Sequence, residues 1–86
     1  MIIFLSHEAE RDFEKICDYI FEEDYMAVYN VRDKIYNAIK MLAAHPNLAR
    51  VGRVEGTREL VIANTSYIII YEVINNNLVI LRIFHS

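Results

Sequence analysis

The stretch RELVIANTSYIIIYEVINNNLVILRIF, residues 58–84, decides the fold. It holds three apolar runs, Arg58 to Ala63, Tyr67 to Ile74 and Leu78 to Phe84, rich in the β-branched and aromatic residues that suit a pleated sheet. Asn64-Thr65-Ser66 and Asn75-Asn76-Asn77 separate them, and these residue types favour tight turns. Strands joined by such short connections must run antiparallel, so the run predicts a three-stranded meander.

Upstream the period changes. Ala9, Phe13, Ile16, Cys17 and Ile20 recur at helical spacing, and Ser6 stands as a candidate N-cap with Glu8 and Glu10 in the first turn. A helix is predicted over about residues 7–23. Val28, Val31, Ile35, Ile39 and Leu42 mark a second helix that Pro46 stops. The polar break at Glu23-Asp24-Tyr25 is short, which implies an antiparallel helix hairpin. Ile2 to Leu5 adds a strand-like run at the N-terminus, and residues 46–57, with Gly52, Gly56 and Pro46, form the main loop. The expected fold is α+β, in the order β-α-α-β-β-β: an N-terminal strand and a helix hairpin packed on an antiparallel sheet. The 86 residues make a single domain, 1–86.

Composition narrows the function. Hydrophobic residues make up 55% of the chain, with a mean hydropathy of +0.16. So small a body cannot bury them all, which predicts a partner surface. The apolar runs are too short to span a bilayer, and the N-terminus lacks the basic segment and long apolar stretch of a secretory leader. A cytoplasmic setting is expected, because the lone Cys17 cannot form an internal disulfide. Its place between Phe13 and Phe21 reads as packing rather than nucleophilic chemistry. His7, His45 and His85 have no ligand-like spacing, so neither a metal nor a cofactor is expected. The net charge of −3 is uneven: residues 1–24 carry eight acids against two bases, whereas residues 25–86 carry seven bases against four acids. Only the second part could offer a basic face to a partner.

Charge concentrates in the segment Arg50-Val-Gly-Arg53-Val-Glu55-Gly-Thr-Arg58-Glu59, while Arg82 stands alone in an apolar strand. Guanidinium groups suit bidentate contacts with phosphate or carboxylate. Arg50, Arg53, Arg58 and Arg82 are therefore the candidate partner-binding residues. Two readings of Arg58 and Arg82 stay open. The meander brings them together around an anion or acidic partner, or each pairs internally with Glu59, Glu55 or Glu72.

The helix hairpin followed by HPNLARVGRVEGTRELVIANTSYIIIYEVINNNLVILRIFHS, residues 45–86, resembles the RelE/ParE superfamily of type II toxins. Pro46, Gly52-Arg53, Gly56-Thr57-Arg58-Glu59-Leu60, the strand from Tyr67 to Tyr71 and the terminal Leu81-Arg82-Ile83-Phe84-His85 carry the resemblance, which covers nearly the whole chain. It implies a toxin neutralised by a small ParD/RelB-like antitoxin, and the surplus of apolar residues predicts that this partner binds across the helix hairpin and exposed sheet. RelE-like members cut mRNA on the ribosome without a metal; well-known ParE-like members bind DNA gyrase. Against RelE, Ile68 falls where the resemblance places a catalytic arginine, Val61 and Glu59 fall near its lysines, and Ser86 comes before its tail. Phosphodiester cleavage needs acid–base groups and charge stabilisation, which apolar and acidic replacements do not supply. The expectation is a ParE-like toxin that acts by binding gyrase. The alternatives are a ribosome-dependent mRNA endonuclease built on Arg58, Tyr67, Arg82 and His85, or a degenerate toxin that only binds its partner.

Overall fold

A computed structural model describes residues 1–85. Its elements are β1 (Ile3–Leu5), α1 (His7–Glu23), α2 (Ala27–Ala44), β2 (Arg50–Val51), β3 (Arg58–Val61), β4 (Tyr67–Ile74) and β5 (Asn77–His85). The helix hairpin and the β3–β4–β5 meander form as the sequence predicts. Ser6 caps α1, its Oγ accepting the Ala9 amide at 3.0 Å. Asn64, Asn75 and Asn76 take positive φ in the two turns, the left-handed conformation asparagine tolerates better than most residues.

Two features go beyond the predicted outline. The loop before β3 contains the two-residue strand β2, paired antiparallel with Arg58 and Glu59. The N-terminal strand β1 lies parallel to β5, with Ile3 opposite Leu78 and Leu5 opposite Ile80, so the five-stranded sheet is mixed and ordered β1-β5-β4-β3-β2. The parallel pairing follows from topology: α1 and α2 carry the chain away from β1, and the meander then delivers β5 beside it.

Both helices cover one face of the sheet. Ala9, Ile16, Ile35, Ala38, Ile39 and Leu42 pack there with Ile69, Tyr71, Leu78, Ile80 and Ile83 in one core. Tyr71 is fully buried, and its hydroxyl donates to the Pro46 carbonyl at 2.6 Å, pinning the end of the helix hairpin to β4. Among the described residues no helix covers the opposite face. Because side chains alternate along a strand, Ile68 and Ile70 point there from β4 while Ile69 and Tyr71 point to the core. Among the described residues no helix is long and apolar enough to cross a membrane.

Candidate functional site

The β4–β5 register shifts between Ile70 and Tyr71, which pair with Arg82 and Ile80 and leave Leu81 as the extra residue of a bulge. β1 has ended by this point, and the start of α1 takes over the edge of β5. The Ser6 amide donates to Ile80 O at 2.9 Å and the Ser6 hydroxyl to Leu81 O at 2.8 Å. Further along α1, Asp12 accepts Arg82 Nε at 2.7 Å, Arg82 Nη2 at 3.0 Å and the Ile83 amide at 2.9 Å. Burial pushes the Asp12 carboxyl up, but the hydrogen bonds from Arg82 and Ile83, helped by the charges of Arg82 and Lys15, outweigh it and hold the group below the ordinary aspartate range. Arg82 also lies over the Phe84 ring, 4.4 Å from its centroid.

The β2–β3 connection arches over the other end of the open face. Gly52 N donates to Thr57 O at 2.8 Å, and the Thr57 amide and hydroxyl both reach Val54 O, at 3.1 and 2.6 Å. Gly56 turns the loop with φ near 83°, a conformation that favours glycine. Glu59 anchors the arch from below, accepting the Arg53 amide at 3.0 Å and Arg50 Nη2 at 3.1 Å. The Arg53 amide, ahead of the Arg50 guanidinium, lowers the Glu59 carboxyl below its usual range. The arch and the bare sheet enclose a cleft of about 490 Å³, lined by Arg53, Val54, Thr57, Glu59, Ile68, Ile70, Phe84 and His85.

The sequence-predicted arginines separate. Arg58 and Arg82 do not meet. Arg58 donates to the Ala49 carbonyl at 2.7 Å and Arg82 binds Asp12, so neither uses the Glu55, Glu59 or Glu72 partners expected of an internal pair. Glu59 takes Arg50 instead. The side chain of Arg50 stays 58% exposed despite its bond, and Arg53 stands at the cleft with no carboxylate within 4.0 Å of its guanidinium among the described residues.

Of the four candidate ribonuclease residues, two come together. Tyr67 pairs with His85 across β4 and β5, their rings edge to face at 5.4 Å. They line a smaller cavity of about 360 Å³ under α1 with Lys15, Ile16 and Tyr19. Burial, and then the nearby Tyr19 and Cys17, push the Tyr67 phenol up. Arg58 is opposite Tyr71, four residues along β4 from Tyr67, or about 13 Å at strand rise. Arg82 turns to the edge of the sheet. Sequence reasoning missed Asp12 and Lys15, and the only available signal for Asp12 was that Arg82, alone among apolar neighbours, needed a partner. The Cys17 thiol, half-buried in α1, is pushed up chiefly by burial, in keeping with its reading as a packing residue.

The ParE toxin family model, that of the type II toxin–antitoxin system parDE, matches residues 3–86. A candidate toxin of Sinorhizobium fredii, Y4kP, is 38% identical over 78 residues, spanning 91% of this chain and 80% of that protein. A chain of the chromosomal ParDE system from P. aeruginosa superposes with a TM-score of 0.89 at 21% identity, covering 100% of this chain and 96% of that one. A chain of the intact E. coli RelBE toxin–antitoxin complex superposes with a TM-score of 0.74 at 10% identity, covering 99% and 95%. These two superpositions establish the fold, and the match along the sequence establishes kinship. The chain belongs to the ParE toxin family, within the RelE/ParE superfamily of type II toxin–antitoxin toxins.

Proposed function

We propose that this toxin arrests growth by binding a protein, DNA gyrase, rather than by cutting RNA, and that a ParD/RelB-like antitoxin neutralises it in the cytoplasm. The observation that carries the reading is the make-up of the open cleft. Its floor is Ile68, Ile70 and Phe84, and its carboxylate, Glu59, is tied to the Arg53 amide and Arg50. A phosphodiester transition state calls for several convergent donors and a free base. Here Arg58 and Arg82 are held by other groups, and the cleft sets only Arg53 and His85 beside its apolar floor, too few groups for that chemistry. Arg50 and Arg53 are the groups assigned to partner contact, since both guanidinium groups reach solvent beside the cleft. The P. aeruginosa and E. coli structures are those of toxin–antitoxin systems, which supports an antitoxin partner for this chain as well.

The contact between Tyr67 and His85, with Lys15 at the rim, favours a second reading as a ribosome-dependent endonuclease. Induction of the chain in cells, followed by primer extension on mRNA and a reporter of DNA damage, separates the two. The gyrase reading predicts a damage response with intact mRNA. New cuts within codons, without a damage response, refute it.

A further inference from the structure

We propose that the open cleft binds a polypeptide segment carrying an aromatic or aliphatic anchor residue next to a carboxylate. The anchor lies on Ile68, Ile70 and Phe84, and the carboxylate meets Arg53. This rests on the reading of the chain as a protein-binding toxin and adds where and what it binds. The floor is made of half-buried or exposed apolar groups: Ile68 and Ile70 are partly exposed, and Phe84 is 39% exposed. Val54 extends that surface over the cleft from the arch, 67% exposed. Apolar area of this kind, left open on a sheet with no helix over it, is stabilised by a covering partner. The cleft volume lies within the range of about 300–1,000 Å³ that takes a side chain or small ligand.

Charge then selects the neighbour of the anchor. The Glu59 carboxylate is buried and its two oxygens already accept the Arg53 amide and Arg50. Arg53 makes no ion-pair contact within 4.0 Å among the described residues, although its charge reaches Glu59, and it is the remaining cation on the lining with an open guanidinium. A carboxylate placed there gains a guanidinium partner and breaks no contact ion pair among the described residues. A lysine-bearing segment would meet Arg53 directly. Glu72 lies two residues beyond Ile70 on the same face, so the acidic selectivity is confined to the Arg53 end. RNA fits less well. One open guanidinium over an apolar floor, in a chain of net charge −3, cannot follow a run of phosphates.

The test titrates the isotope-labelled full chain with three probes and follows backbone amide shifts. The probes are an acetylated peptide in which phenylalanine and leucine are flanked by glutamates, its twin with lysine for glutamate, and oligouridylate. The acidic peptide is expected to move the amides of Arg53, Val54, Ile68, Ile70 and Phe84, and to bind at least about tenfold more tightly than the lysine twin, a difference of about 1.4 kcal/mol. Arg53→Glu should abolish that preference. Phe84→Ala and Ile70→Thr should each weaken binding severalfold, and either variant serves if the other fails to fold. Equal binding of the two peptides, shifts confined to other faces, or no shift up to about 1 mM peptide overturns the proposal. So does oligouridylate moving these amides while the peptides do not. If gyrase is inhibited while the cleft stays silent, only this inference fails. Cleft binding without inhibition sinks the gyrase reading alone.

Discussion

Asp12 and Arg82, 70 positions apart in the chain, are joined by two guanidinium hydrogen bonds of 2.7 and 3.0 Å, and the same carboxylate accepts the Ile83 amide. The side chain of α1 thus occupies the edge of β5 just where β1 stops. An open edge is a template for unwanted strand pairing, and a bulge closed by a charged side chain removes it. Asp12→Ala leaves the Ile83 amide and the guanidinium without their acceptor. We expect a loss of about 2–3 kcal/mol, since hydrogen bonds to charged groups are worth more than neutral ones. The midpoint in thermal melts should fall by about 10 °C or more. An unchanged melt would show that the clamp contributes nothing.

The same contact makes stability depend on acidity. The Asp12 carboxyl is held below its ordinary value of 3.8 in the folded chain. A depressed carboxyl stabilises the fold fully above its unfolded value, and that contribution disappears as pH falls through the lower folded value. Glu59, also lowered, acts with the same sign. Urea denaturation should therefore show stability falling as the pH drops below about 4, and Asp12→Asn should flatten that fall. A variant with the same acid limb as the parent would contradict the assignment.

Gly52 tests the arch over the cleft. A Cβ at this position would collide with the Thr57 hydroxyl and stand 3.1 Å from the Thr57 backbone carbon and oxygen. Gly52→Ala should cost about 1–3 kcal/mol through overpacking, and should speed hydrogen exchange at the Gly52 and Thr57 amides. Gly56 has open space around it, so Gly56→Ala is opposed only by its positive φ and should cost about 1 kcal/mol. Equal effects at the two glycines would remove the argument from close approach.

Arg50 and Arg53 separate binding from folding. Both are exposed, and Arg50→Glu with Arg53→Glu should weaken association with antitoxin and target and reduce its salt dependence. The Arg50 change also sets two carboxylates against each other in direct contact at Glu59, whereas Arg53 acts on Glu59 only at longer range, so Arg53→Glu alone perturbs that carboxylate less. Arg58→Ala should instead lower the melting temperature, because its guanidinium ties β3 to the Ala49 carbonyl. Affinity measured at two salt concentrations beside a thermal melt decides. Full affinity in the folded Arg53→Glu variant would remove it from the interface.

Local pattern made most of the fold legible. Helical spacing from Ala9 to Ile20, the Ser6 cap and the asparagine turns each act within a few residues, and they give α1 and the meander their bounds. The parallel β1–β5 pairing and the short β2 strand depend on contacts distant in sequence or too brief to show a period. The site was less legible for the same reason. Arg82 was visible as a charge in an apolar strand, but nothing near it in sequence points to Asp12. Glu59 stood beside Arg58 in the sequence, yet strand alternation sends the two to opposite faces and gives Glu59 to Arg50. Tyr67 and His85 met because the β4–β5 register places them opposite each other, at the far ends of a hairpin the turn sequence had already implied.

Whether the toxin acts by binding gyrase is decided by plasmid supercoiling with purified gyrase and ATP in the presence of the purified chain. Supercoiling should stop as the chain is added, the cognate antitoxin should restore it, and Arg53→Glu should need more protein for the same effect. Undiminished supercoiling at a large excess of folded chain, together with mRNA cleavage when the chain is added to translating ribosomes, would contradict the gyrase reading.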